Sequence, residues 1–172
     1  MTTIKKDDYI FSVNVEQTKK YYETHSLCNC GNCRNFYTQA KDKFPKIGEL
    51  LSEFGVDISK PDEIESVDME EAVMYINIDF TVCGSVEAMG QREIEVYDHM
   101  PLHLVVTEGY TCPNEQTGEY FTISVTGVAL PWVLDEPFPG TGSLKIKNWL
   151  RKGFQKHACD EYNRKFKSLC RM

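Results

Sequence analysis

The sequence predicts a single α+β domain, in which helices pack on a predominantly antiparallel sheet of about five strands. Three observations lead to this fold class. A chain of 172 residues with 41% hydrophobic side chains can form one packed core but is too short for two ordinary domains. Several segments alternate apolar and polar residues and are separated by short turns, which favours antiparallel pairing. Helical patterns precede and follow these segments, an order that is typical of α+β folds.

The strand candidates are recognised by their period of two. The first lies at residues 9–15, and four others lie at residues 74–82, 86–96, 102–106 and 121–125. A bulge is expected at Gly90 in the second of these four. In the segment 74–82, the side chains expected on one face are Met74, Ile76, Ile78, Phe80 and Val82.

Two long helices are predicted on either side of the strands. Apolar residues recur every three or four positions in residues 34–54, where Pro45 must either begin a new helix or kink the existing one. A second apolar stripe over residues 143–169 predicts a long C-terminal helix against the sheet. A shorter helix is predicted near residues 16–22, and the acidic stretch 56–71 is expected to be a loop.

Charge is distributed unevenly along the chain. The net charge of −7 and the pI of about 5.1 argue against nucleic acid as a partner, because phosphate binding needs basic surface. Residues 145–172 nevertheless hold nine basic side chains against two acidic ones, a net +7, so the other residues carry −14. We expect the basic face of the last helix to complement the acidic body or to be solvated. With no membrane span and a polar start, the sequence predicts a cytoplasmic protein without a membrane partner.

Residues 60–100 are particularly acidic. They contain eleven carboxylates and only two basic side chains, Lys60 and Arg92. Such a surface would attract a cationic protein and make the association salt-sensitive, as in an inhibitor or immunity-type protein. The same carboxylates also fit an acidic surface that only keeps the protein in solution, so both interpretations stay open.

The densest group of reactive side chains is His25-x-x-Cys28-x-Cys30-x-x-Cys33. Three thiolates and an imidazole within nine residues can surround one ion if the backbone turns sharply, which the intervening glycine and asparagines permit. Such ligands favour zinc, and a structural zinc site has four of them. The predicted zinc ligands are Cys28, Cys30 and Cys33, with His25 or Cys83 as the fourth. More distant cysteines that would also complete the site are Cys112, Cys159 and Cys170.

The same cysteines allow two other interpretations. Cys30 and Cys33 form a CxxC pair just before a predicted helix, where free amides and the helix dipole lower a thiol pKa. This pattern would suit a thiol-disulfide enzyme with Cys30 as nucleophile and Cys33 as resolving thiol. Alternatively, Cys33 is a core residue without chemistry, since it shares the helical stripe of Phe36 and Ala40.

Signatures of the familiar enzyme classes do not occur in the sequence. It contains no phosphate loop, no dinucleotide-binding GxGxxG, no nucleophile elbow and no HExxH. The expected function is therefore that of a small binding or regulatory protein more than that of an enzyme.

Three strings carry a resemblance, at residues 24–37 (with the pattern CxCxxCRNFY), 54–64 and 114–121. They resemble a group of bacterial proteins to which no activity is assigned. The resemblance would cover most of the chain and implies a bacterial cytoplasmic setting. It implies no functional residue.

Overall fold

The computed structural model of the protein describes residues 1–70, 72–97, 103–108 and 114–139. The strands are β1 (Thr2–Lys6), β2 (Tyr9–Val13), β3 (Glu63–Asp68), β4 (Ala72–Ala88), β5 (Ile94–Glu95), β6 (His103–Glu108) and β7 (Tyr120–Pro131), and the helices are α1 (Val15–Thr24), α2 (Gly31–Lys43) and α3 (Pro45–Glu53). The predicted α+β class is confirmed, although the described part of the sheet has seven strands where about five were expected. The helix predicted for residues 143–169 lies outside the described residues.

All the strand pairs that the structure describes are antiparallel, as the short connections predicted. The strand order is β1-β2-β4-β7-β6-β5, and β3 pairs with β4 beside this path. The 17-residue strand β4 organises the sheet. Its first half lies between β3 and β7, and its last residues pair with β2.

Two of the sequence predictions for this region are wrong. The stretch 56–71 is not a loop throughout, because it contains β3, whose exposed and half-buried residues alternate at the side of β4. A strand with one side in water needs few apolar residues, so its sequence looks like an acidic loop. In addition, β4 continues to Ala88, so the separate strand predicted for residues 86–96 is split between the end of β4 and the short β5.

The buried face of β4 changes along the strand. Val73 and Tyr75 are fully buried in its first part, whereas Ile78, Phe80 and Val82 are fully buried later. The register against β3 shifts so that Ile76 is an extra residue in β4, and such a bulge reverses which alternate residues face the core. Met74 and Ile76 are consequently half-buried, instead of sharing the core face with the later residues as predicted.

Local sequence sets where the helices begin and break. The helix expected over residues 34–54 is two helices, α2 and α3, separated at Phe44. Pro45 occupies the start of α3, where its missing N–H costs no hydrogen bond, so the restart is the correct one of the two predicted outcomes. Asn14 caps α1 by accepting a hydrogen bond from the main-chain N–H of Gln17 at 3.1 Å.

The core lies between these helices and one face of the sheet. The ring of Phe11 in β2 lies 5.2 Å from that of Phe54, just after α3, and 5.2 Å from that of Phe121 in β7. At the other end of the core, Phe36 of α2 lies 5.4 Å from Tyr75. This packing places the start of α2 over the first half of β4.

The described helices are also too short and too polar to cross a lipid bilayer.

Candidate metal centre

Three cysteines come together where α2 begins. The sulfur atoms of Cys28, Cys30 and Cys33 all lie within 4.8 Å of one another. Cys28 and Cys30 are exposed, Cys33 is buried, and all three are free thiols. The predicted cluster of three is thus a compact group of donor atoms that can hold a metal ion.

Local backbone structure brings the three thiols to one side. Cys30 is the N-cap of α2 and has an extended conformation. Cys33 lies on the first turn of the same helix. At Gly31, the first helical residue, a Cβ would lie 2.9 Å from the ring of Trp132, so a larger residue would push that ring aside. The glycine therefore lets the start of α2 pack closely against Trp132, in the segment that follows β7.

The electrostatics of the three thiols differ. The main-chain N–H of Cys30 hydrogen-bonds to the sulfur of Cys28 and, together with the Cys30 thiol, lowers the pKa of Cys28. Burial raises the pKa of Cys33, and the neighbouring thiols raise it further. Burial keeps Cys33 a neutral thiol in the absence of metal, so an ion bound there would have to displace its proton.

Hydrogen bonds fasten the cysteine segment to the sheet. The side-chain amide of Asn32 donates to Ser66 Oγ at 3.1 Å and to Asp68 Oδ1 at 3.0 Å, both on β3. The hydroxyl of Tyr75 on β4 donates to the main-chain oxygen of Asn32 at 2.8 Å. Burial raises the pKa of Tyr75 to about 12, so its hydroxyl stays protonated and remains a donor. The residue between two of the thiols is therefore held by two strands.

His25 has other partners. Its side chain is only 5% exposed, with Nδ1 3.1 Å from Glu115 Oε2 and Nε2 3.3 Å from the main-chain oxygen of Pro61. Its ring also stacks on that of Tyr21, with centroids 5.3 Å apart. Among the described residues, the group of donor atoms consists of the three thiols and does not include His25.

Cys83 is also engaged elsewhere. It is buried in β4, and its thiol donates to Gln116 Oε1 at 3.5 Å. The other cysteines named as candidates, Cys112, Cys159 and Cys170, lie outside the described residues. The fourth ligand of the predicted zinc site therefore stays a prediction.

The structure also contains a buried polar cluster that the sequence reasoning missed. The side chain of Asp62 is fully buried, and it accepts hydrogen bonds from the Tyr21 hydroxyl, from the Tyr22 hydroxyl at 3.3 Å and from the Thr81 N–H at 2.7 Å. The carboxylate joins α1 to β4. Two adjacent tyrosines at the end of a helix were its only signal in the sequence, because the carboxylate itself comes from an acidic stretch that looks solvated.

Comparison with known proteins gives no match to a family model, to a curated protein or to a solved structure.

Proposed function

We propose that this chain is a small binding or regulatory protein whose fold is stabilised by a zinc ion at Cys28, Cys30 and Cys33. The observation that carries the proposal is the approach of the three sulfur atoms to within 4.8 Å of one another. In a tetrahedral zinc site with Zn–S bonds of about 2.3 Å, sulfur atoms lie about 3.8 Å apart. The thiols therefore need to close by only about 1 Å or less, a movement that side-chain rotation can supply.

The location of the thiols supports a stabilising role. Cys28 and Cys30 belong to the connection between α1 and α2, and Cys33 belongs to α2 itself. An ion bound to all three would fix this connection against the helix. Because an ion that binds only the folded state adds about 4 kcal/mol of stability at a thousand times its Kd, occupancy would control the order of this surface.

Metal analysis of protein purified without a histidine tag tests the proposal. We expect close to one equivalent of zinc, and we expect Cys28→Ser, Cys30→Ser and Cys33→Ser to lose most of it. Asn29→Ala is the matched control, because Asn29 is exposed between two of the thiols and donates no thiolate. Less than about a tenth of an equivalent, with all seven cysteines titrating as free thiols in denaturant, would end the proposal.

Two further variants concern the fourth ligand. His25→Ala and Cys83→Ser each remove one ligand that the sequence predicted, while leaving the three-thiol group intact. Loss of zinc in one of them alone would identify it as the fourth ligand. Either residue would first have to leave its present partners, Glu115 for His25 and Gln116 for Cys83.

A thiol-disulfide enzyme is the second candidate, and the exposure of the two thiols favours it. Cys30 is exposed at the start of α2 and Cys33 is buried one turn later, as expected of a nucleophile and a resolving thiol. The Cys30 thiolate would attack a substrate disulfide, breaking its S–S bond and releasing one thiol. Cys33 would then attack the mixed disulfide and release the second thiol, so two electrons pass to the substrate as a Cys30–Cys33 disulfide forms.

Incubation with oxidised glutathione separates this candidate from the zinc site. The enzyme hypothesis expects a Cys30–Cys33 disulfide by peptide mass spectrometry, formed equally well in Cys28→Ser and absent in Cys30→Ser. Random pairing that includes Cys28 would reject a dedicated redox pair.

The acidic surface supports a third candidate, binding of a basic protein. Glu63 and Glu65 are exposed on β3, which lies beside the main path of the sheet. A basic partner would be retained at low salt and released at high salt. Retention that is unchanged when both residues are replaced by lysine would show that this strand is not the contact.

A further inference from the structure

The exposure of the cysteine cluster suggests how the four-ligand coordination of its metal is completed. Closed structural zinc sites surround the ion with four protein ligands, whereas sites that react or exchange keep one position accessible. Here two of the three donors, Cys28 and Cys30, are exposed, and only Cys33 is buried. An ion at this position would face solvent on the side of the two exposed thiols.

Two of the candidates for a fourth ligand, His25 and Cys83, lie in the described part of the chain. Both already hydrogen-bond to other residues. Both ring nitrogens of His25 already face oxygen atoms, of Glu115 at 3.1 Å and of Pro61 at 3.3 Å. Cys83 donates its thiol proton to Gln116. Ligation by either residue would therefore break existing hydrogen bonds of a buried side chain, at a cost of about 1–3 kcal/mol for each group left unpaired.

Two exposed apolar residues lie next to the cysteine segment. The described part of the chain exposes five large hydrophobic residues, and one of them, Leu27 (40% exposed), directly precedes Cys28. Another, Val133 (46% exposed), donates its main-chain N–H to Asn35 Oδ1 of α2 at 2.9 Å. Leu27 therefore offers an apolar contact beside the accessible donor atoms.

We infer that the metal at Cys28, Cys30 and Cys33 takes its fourth donor from another molecule, and that this donor is a thiolate. The inference rests on the proposed zinc site. A thiol suits this position, because sulfur matches the three donors already present and its hydrocarbon carrier can contact Leu27 beside Cys28. On binding, the thiol gives its proton to the buffer and its sulfur bonds to the ion. No group is oxidised or reduced.

Cobalt substitution provides the test, because the thiolate-to-cobalt charge-transfer absorption grows with the number of bound thiolates. The tagless full chain is loaded with Co²⁺ in thiol-free buffer and titrated with 2-mercaptoethanol. We expect a saturable rise of this absorption by about one third, as three thiolates become four. Cys33→Ser should lose most of the initial band, and Asn29→Ala should behave as the wild type.

Two further measurements identify the source of the thiolate. If a second copy of this chain supplies it, the band rises with protein concentration in the absence of 2-mercaptoethanol, together with a concentration-dependent doubling of mass in light scattering. If a small thiol supplies it, the chain stays monomeric and only the titration raises the band. Either result supports an external donor.

An internal donor would overturn the inference. In that case the spectrum of the cobalt protein responds neither to added thiol nor to protein concentration, and it changes in one of the variants His25→Ala, Cys83→Ser, Cys112→Ser, Cys159→Ser or Cys170→Ser. A spectrum that responds to neither, without any such variant effect, overturns the inference equally. Failure of the underlying zinc site is distinguishable, because the wild-type chain would then develop no charge-transfer band at all.

Discussion

Replacement of the buried Asp62 by alanine should be among the most damaging single changes in the described part of the protein. The carboxylate is fully buried and accepts hydrogen bonds from Tyr21, Tyr22 and the Thr81 N–H. Tyr22 also donates to the main-chain oxygen of Thr81 at 3.0 Å, so it retains a partner in the variant. The Tyr21 hydroxyl and the Thr81 N–H would lose their acceptor.

The expected loss follows from these two donors. A buried donor left without an acceptor costs about 1–3 kcal/mol, so two of them cost about 2–6 kcal/mol. Removing a buried carboxylate also recovers part of its own desolvation penalty, which places the expectation near 3 kcal/mol. This is a large part of the roughly 5–15 kcal/mol that stabilises a domain of this size. Asp62→Asn keeps one acceptor oxygen and should lose only about 1–2 kcal/mol.

Urea unfolding at neutral pH, followed by circular dichroism, measures these differences. Glu63→Ala is the matched control, because it removes an exposed carboxylate at the next position and should change stability by less than about 0.5 kcal/mol. The reasoning would be refuted if Asp62→Ala lost less than about 1 kcal/mol with an unchanged dependence on urea, since the two donors would then have found other partners.

Three further changes test separate parts of the structure. Burial raises the pKa of Asp79, so its protonated form is favoured in the native state and its contribution to stability is lost as pH rises through that native pKa. Asp79→Asn should therefore be more stable than the wild type at neutral pH, and this gain should vanish below about pH 4, near the ordinary carboxyl pKa, as measured by unfolding at several pH values. Gly84→Ala should cost about 3 kcal/mol in thermal unfolding, because Gly84 has a φ of 143° and a Cβ would lie 2.1 Å from the main-chain oxygen of Ser12. Asn32→Ala should weaken zinc binding by about 10- to 100-fold in chelator competition, while Asn29→Ala leaves it unchanged.

Patterns that depend on near neighbours could be predicted from the sequence. The alternation in β2 and β7 and the restart of the helix at Pro45 are set by steric and hydrogen-bonding rules that act within one turn or one strand. The approach of Cys28, Cys30 and Cys33 is of the same kind, because a cap and one helical turn bring them together.

Features that depend on distant segments were decided only by the tertiary structure. The strand β3 exists because β4 pairs with it, and the bulge at Ile76 follows from that pairing. The partners of His25 and Cys83 come from residues about 30 to 90 positions away, so the sequence could name both as ligands without showing that they are engaged elsewhere. Asp62 is the clearest case, because an acidic residue in a polar stretch becomes buried only when α1 and β4 close over it. Local sequence thus determined which groups can act together over a few residues, whereas burial and long-range hydrogen bonding determined which of them remain available to a metal.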